Sequence, residues 1–120
     1  MQNNLQGYQK LIVYQKSKKL VLFIYALTKR YPKEELYILL PQMRRAAISV
    51  MANIVEGYSK SKKEFCRFLD ISIGSSTEVG VYLELSLELN YINKNDFEKG
   101  FSLLLEVRKL LYSFKKSLKS

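Results

Sequence analysis

One segment of this chain, residues 42–57, constrains the fold more than any other. It reads QMRRAAISVMANIVEG, and helical spacing places four apolar residues on one face: Met43, Ala47, Val50 and Ile54. Arg44 flanks this face, and Arg45 points to solvent. Because glycine often ends a helix in the left-handed conformation, Gly57 is expected to be a left-handed cap. The segment therefore predicts one amphipathic helix that supplies both core and charge.

Three further segments show the same helical period, with no strand-like alternation between them. The first of them is expected to end before Tyr31, since the residue preceding Pro32 is disfavoured in the helical conformation. Helices are expected over about residues 8–30, 41–57, 61–89 and 95–117, with a short helical turn at 33–38. A continuous second helix that is kinked at Pro41 is the alternative.

Polar residues mark the helix boundaries in the second half of the chain. Ser61 with Glu64, and Asn95 with Glu98, each fit a capping box, in which the first side chain accepts from a backbone N–H of the first turn. Asn90 is expected to adopt the left-handed conformation after the third helix. Because the connections are short, consecutive helices should run antiparallel. The sequence thus predicts an all-α fold, an up-down-up-down antiparallel four-helix bundle formed by residues 1–120 as one domain.

Residue usage narrows the chemistry available to the chain. It has 120 residues, 48% of them hydrophobic, one cysteine (Cys66) and no histidine. Without histidine, zinc sites and Ser-His or Cys-His nucleophile pairs are excluded within one chain. We therefore expect a protein that is not an enzyme and that holds no metal ion or cofactor. Cys66, beside an aromatic residue, is expected to be a core or near-core residue.

The expected compartment is the cytoplasm, with no association with a membrane. The longest apolar run, Leu20–Leu27, is far shorter than the ~20 residues that span a bilayer. The N-terminal residues show no pattern typical of a signal peptide.

The net charge of +9 is unevenly distributed along the sequence. Residues 1–69 contain 13 basic and 4 acidic residues, whereas residues 70–120 contain 7 of each. Such a basic surface favours polyanions. The candidate nucleic-acid-binding residues, called here the predicted basic cluster, are Lys18, Lys19, Arg44, Arg45, Lys60, Lys62, Lys63 and Arg67. The alternative for each of them is an ordinary solvated surface charge.

Two helices carry more apolar surface than a monomeric bundle can bury. The inward face of the third helix is formed by Phe65, Leu69, Ser72, Val79 and Leu83. Further apolar or small residues lie outside such faces on the third and fourth helices, and we predict that they form an oligomer interface: Ile71, Gly74, Val81, Leu85, Leu103 and Leu110. Gly74 and Gly80 in mid-helix fit this interpretation if another backbone approaches them closely. Scattered surface leucines are the alternative.

Polar residues of the second helix fit either a structural or a catalytic role. Ser49, Asn53 and Glu56 are expected to lie close to its inward face. Buried polar groups need hydrogen-bond partners, so we predict a structural hydrogen-bond network there.

Several segments of the chain resemble one bacterial family, the four-helix-bundle proteins encoded within intervening sequences of 23S ribosomal RNA genes. The resemblance covers about residues 8–115. It is carried by residues 11–17 (LIVYQKS), 31–35 (YPKEE), 42–57, 63–69 (KEF and FL), 74–78 (GS and E) and 88–92 (ELNYI). Asn90 departs from the glycine that is common there, and Pro41 from a small polar residue.

The resemblance implies a cytosolic, non-enzymatic bundle that assembles into a homopentameric ring or barrel with a basic surface. A similar protein is the accessory variability protein of diversity-generating retroelements, which implies binding to a reverse transcriptase and to RNA or DNA. The basic character of the family corresponds here to Arg44, Arg45, Lys62, Lys63 and Arg67. Our hypothesis is therefore a basic oligomer that binds nucleic acid, RNA in preference to DNA, through phosphate contacts. The alternative is an oligomeric scaffold that recruits a protein partner such as a reverse transcriptase.

Overall fold

The computed structural model describes residues 7–119. The predicted domain also includes residues 1–6 and 120, which lie outside the described residues. Four helices make up most of the described chain: α1 (Ile12–Thr28), α2 (Leu39–Tyr58), α3 (Lys62–Glu88) and α4 (Lys94–Lys119). Short 3-10 helices occupy Gly7–Lys10 and Lys33–Glu35. No strand occurs within residues 7–119.

The helices form the predicted all-α bundle. Helices α1 and α3 each pack against both α2 and α4, and the pairs of residues in contact show that neighbouring helices are antiparallel. Lys16 near the start of α1 contacts Glu106 at the middle of α4, whereas Arg30 just after α1 contacts Asp96 at the start of α4.

The core is built from the predicted apolar faces. The α2 face of Met43, Ala47, Val50 and Ile54 is completely buried. The inward residues of α3 predicted from the sequence, from Phe65 to Leu83, are buried too. The four faces enclose a single cluster of buried apolar side chains, which is the usual arrangement of a bundle core.

The N-terminal caps follow the prediction at one helix and depart from it at another. The Ser61 hydroxyl accepts a hydrogen bond from the Glu64 N–H at 3.2 Å, which confirms Ser61 as the cap of α3. The predicted cap at Asn95 is wrong, because α4 starts one residue earlier. Asn93 caps it instead, through its Oδ1 atom and the Asp96 N–H at 2.7 Å. Pro41 lies in the first turn of α2, where its missing N–H costs no helical hydrogen bond.

Of the two predicted C-terminal caps, one is confirmed and one is wrong. Asn90 has φ of 62°, which confirms the predicted left-handed residue after α3. The predicted left-handed cap at Gly57 is wrong, since α2 continues through it to Tyr58. A Cβ atom on Gly57 would lie 2.6 Å from Cδ1 of Phe65 and 2.9 Å from Cβ of Phe68. Glycine is needed there because α3 approaches closely.

Small polar residues join α2 to α3. The hydroxyls of Ser49 and Ser75 are 2.7 Å apart, and Asn53 donates to the Ser49 carbonyl at 2.8 Å. Ser72 donates to the Val50 carbonyl at 2.8 Å. The predicted structural network is thus confirmed for Ser49 and Asn53. It is wrong for Glu56, which is exposed and pairs with a lysine of the α2–α3 turn.

Within residues 7–119, no helix combines the length and apolar character needed to cross a bilayer.

Candidate nucleic-acid interface

The charged residues are distributed unequally between the two ends of the bundle. We define the basic end as the half of the bundle formed by residues 7–20, 49–75 and 106–119. It contains the α2–α3 turn, the first half of α1 and the second half of α4. This half contains 13 basic and 4 acidic residues, a net charge of +9. The neutral end, residues 21–48 and 76–105, contains 7 of each. The whole net charge of the protein therefore lies at one end.

Most of the predicted basic cluster lies at the basic end. Its members there are all exposed: Lys18, Lys19, Lys60, Lys62, Lys63 and Arg67. Lys60 and Arg67 form ion pairs with the acidic residues Glu56 and Glu64, which are close in sequence, at 3.7 and 3.1 Å. Such exposed pairs contribute little to stability. Among the described residues, Lys62 and Lys63 have no ion-pair partner, so their ammonium groups are available to a ligand.

Sequence reasoning missed the contribution of the chain termini to this end. Among the further basic residues of this end are Lys10, which precedes α1, and Lys109, Lys115, Lys116 and Lys119 of α4. In sequence these lysines lie in the half that is neutral overall, or stand alone before α1. The antiparallel topology brings them to the same end as the α2–α3 turn. That topology was itself predictable, so assigning each charge to an end of the bundle would have revealed them.

Arg44 belongs to the structure of the neutral end. Its Nε donates to the Thr28 hydroxyl at 2.9 Å and its Nη2 to the Tyr25 carbonyl at 3.3 Å. The guanidinium also lies 4.3 Å from the centre of the Tyr25 ring. It therefore satisfies the C-terminal end of α1, where helix carbonyls lack intrahelical partners.

Arg45 is exposed, and its Nη1 donates to Gln42 at 2.7 Å. It lies on α2 thirteen residues before Tyr58, or about 20 Å along the helix axis. The predicted basic cluster is therefore two groups of residues, and the two arginines stand apart from the lysines.

Replacing Arg44 with alanine is expected to lower the free energy of unfolding by about 2 kcal/mol and to leave nucleic-acid affinity unchanged. The loss comes from the two hydrogen bonds to the Thr28 hydroxyl and the Tyr25 carbonyl and from the lost ring contact. Urea denaturation measures the first effect and fluorescence anisotropy the second. Arg45→Ala is the matched control and should alter stability little. A lower nucleic-acid affinity of the folded Arg44→Ala variant would mean that Arg44 belongs to the interface.

The predicted oligomer-interface residues are only partly available. On α3, the residues Ile71, Gly74, Val81 and Leu85 are exposed, and we call them the α3 outer face. Apart from Gly74, its two chain neighbours and the adjacent helix backbone, nothing in the described chain lies within 4 Å of a Cβ built on Gly74. On α4, Leu103 and Leu110 are half-buried against the core. Gly80 is explained within the protomer, because a Cβ there would meet Leu104 at 3.2 Å.

Three ionisable side chains have shifted pKa values, and each shift comes from a structural contact. A hydrogen bond to the Asp70 carboxylate raises the pKa of Lys115, and one to Glu35 raises the pKa of Tyr91 to about 12. Burial raises the pKa of Tyr31, whose hydroxyl donates to Ser86 at 2.7 Å. These groups keep their protons at neutral pH, and the charged Lys115 is paired with Asp70.

No grouping of three or more Cys, Asp or Glu residues that could hold a metal ion occurs in the described part of the chain. Cys66 is half-buried, with Sγ 4.0 Å from the Lys115 carbonyl, as predicted for a near-core residue.

The comparisons with known proteins agree with this architecture. A crystal structure of a protein of unknown function from the S23 ribosomal protein family of Bacteroides thetaiotaomicron superposes with a TM-score of 0.81 at 28% identity. The match covers 88% of this chain and 99% of the other. No curated protein matches the sequence. The model of the 23S rRNA-intervening sequence protein family matches residues 9–113. The resemblance noted in the sequence is thus confirmed, and the chain belongs to the 23S rRNA-intervening sequence protein family.

Proposed function

We propose that this protein is a non-enzymatic nucleic-acid-binding oligomer of the cytoplasm that contacts phosphates through its basic end. The observation that supports this function is the segregation of charge, since a net charge of +9 lies on one half of the bundle and none on the other. Lysine ammonium groups on exposed helices contact phosphates whatever the base sequence. The family description refers to 23S ribosomal RNA, which supports RNA as the preferred polymer.

Binding to a labelled structured RNA is expected to weaken steeply as salt rises from about 50 to 200 mM, because each phosphate contact releases counterions. Fluorescence anisotropy with the RNA and with a DNA duplex of equal length measures both affinities. The slope of log affinity against log salt on the duplex is about −0.9 per neutralised phosphate. A slope of about −4 or steeper would agree with contacts from the exposed lysines. Absence of binding at the lowest salt would contradict the proposed function.

The proposed oligomer, a homopentameric ring by resemblance to the family, would be formed through the α3 outer face. Its apolar residues Ile71, Val81 and Leu85 are exposed on one helix, and Gly74 leaves open space beside them. Exposed apolar patches of this kind are uncommon on monomers. Leu103 and Leu110 belong mainly to the core of the protomer, so α3 is the stronger candidate for the contact.

Val81→Glu and Leu85→Glu are each expected to reduce the molar mass of the particle, because a carboxylate buried between subunits loses its hydration without gaining a partner. Multi-angle light scattering after size exclusion gives the molar mass. Leu22→Glu, also at an exposed apolar position, is the control that should leave it unchanged. Wild-type protein that runs as a monomer would contradict the assembly, and an unchanged mass for both variants would place the interface elsewhere.

A second candidate function is a scaffold that recruits a protein such as a reverse transcriptase. One observation favours it: Leu36, Tyr37 and Ile38 are three consecutive exposed apolar residues before α2, and Tyr37 is 87% exposed. They lie at the neutral end, away from the lysines of the basic end. Retention of a purified reverse transcriptase by wild-type protein but not by Tyr37→Ser, in the presence of nuclease, would support this function.

A further inference from the structure

A groove opens at the basic end between α1 and α4. Its volume is about 310 Å³, close to the lower limit for small-molecule sites. Its walls come from the first residues of α1 and the last turns of α4. The residues that line it are Lys10, Leu11, Ile12, Val13, Leu110, Ser113, Phe114 and Ser117.

The groove combines an apolar slot with cations at its edges. Ile12, the first residue of α1, is an apolar residue that is 61% exposed. Phe114 on the facing wall is fixed by an edge-on contact with Phe65, with ring centres 5.2 Å apart. Lys109 and Lys116 lie four residues before and three after Ser113, so they border the α4 wall on the outer side of the helix. Lys10 borders the other wall.

Apolar slots bordered by cations are typical of surfaces that bind single-stranded nucleic acid. There, the bases leave water and lie against apolar or aromatic side chains, while lysines contact the phosphates between them. A duplex cannot use such a slot, because its bases are paired and stacked inside the helix. Phosphate contacts alone give no reason for the exposed Ile12 side chain beside Lys10. A base between the apolar walls would cover this side chain.

We propose that the α1–α4 groove takes an unpaired base of a single-stranded nucleic acid, with neighbouring phosphates at Lys10, Lys109 and Lys116. This inference rests on the proposed function and names its substrate class: single-stranded segments or unpaired loops. The charge complementarity between this end and a phosphate backbone selects a nucleic acid over an apolar peptide as the occupant. Ile12, Leu110 and Phe114 supply the contact with the base, and the lysines supply the affinity for the backbone.

Two strands that differ only in their bases distinguish contacts with bases from contacts with phosphates. The probes are a labelled thymidine strand of roughly 12 nucleotides and an abasic strand with the same number of phosphates. Wild-type protein is expected to bind the thymidine strand about tenfold more tightly. Ile12→Ser is expected to lose most of this difference, since it removes an apolar wall without changing charge. Leu22→Ser, at a position of nearly equal exposure (60%) on the same helix, should keep it.

The outcomes distinguish this inference from the function on which it rests. Equal binding of the two strands by wild-type protein overturns the base site and leaves phosphate binding intact. A tenfold preference that survives Ile12→Ser overturns the assignment of the groove. Failure to bind either strand overturns both the function and the inference. Displacement of the thymidine strand by an acidic amphipathic peptide, with no preference over the abasic strand, would assign the groove to a protein ligand and overturn the inference.

Discussion

Reversal of four lysines at the basic end is expected to weaken RNA binding by about a hundredfold or more at about 100 mM salt. The variant replaces with glutamate four exposed residues that have no ion-pair partner among residues 7–119: Lys62, Lys63, Lys116 and Lys119. Under the proposed function, each substitution would remove one phosphate contact and add a repulsive charge. The net charge of the basic end falls by 8 from +9 to +1. Anisotropy with the same structured RNA measures the loss.

The neutral end offers a control with the same change in total charge. Its four lysines are likewise exposed and without an ion-pair partner in the described chain: Lys29, Lys33, Lys94 and Lys99. Their reversal to glutamate should weaken binding by less than about tenfold, since it acts only through the long-range field. Circular dichroism verifies the fold of both variants. Equal losses in the two variants would mean that net charge alone governs binding and that the basic end is no specific interface.

Replacement of Gly57 by valine is expected to lower the free energy of unfolding by about 3 kcal/mol. Valine at this position has a Cβ atom that would overlap the Phe65 ring and the Cβ atom of Phe68. The Phe65 ring has little room to move, because it packs between Tyr58 and Phe114. The Phe68 Cβ atom moves only with the backbone, so α2 and α3 must separate at this point. Urea denaturation monitored by circular dichroism gives the change.

Gly74 provides the control for this steric argument. It also lies within a helix, but a Cβ atom there meets nothing within 4 Å. Gly74→Val should therefore change the stability of the protomer by no more than a few tenths of a kcal/mol, since valine forms helices at least as readily as glycine. Equal destabilisation by the two substitutions would contradict the assignment of the effect at Gly57 to its contact with α3.

The helical bundle was accessible from the sequence because its apolar residues repeat with one period. The buried residues of α2 and the cap residues Ser61 and Asn90 are local signals, and each was read correctly. Gly57 was not, since a glycine near a helix end serves equally well as a cap or as a close contact. The second use depends on Phe65 and Phe68, whose position against α2 is a tertiary property. Asn93 and Asn95 offer the same capping atoms two residues apart, so the local pattern could not choose between them.

The candidate interface was accessible only in part. Adjacent arginines look equivalent in sequence, yet Arg44 is engaged by the end of α1 while Arg45 is exposed. The contact of Arg44 with Thr28 spans the α1–α2 connection, and no periodicity reveals it. The lysines of α4 lie in a sequence half without net charge, because acidic residues of α3 and α4 offset them. In three dimensions those acidic residues belong largely to the other end of the bundle.

The separation of charge between the two ends gives the molecule a large electric dipole along the bundle axis. A polyanion at a distance of one or two Debye lengths, about 10 to 20 Å at moderate salt, exerts a torque on such a dipole. In an encounter with such a polyanion, the lysine-rich end would turn toward the polymer before the surfaces touch. This orientation shortens the search that normally slows association, and fields of this kind raise association rates by about 10- to 1,000-fold.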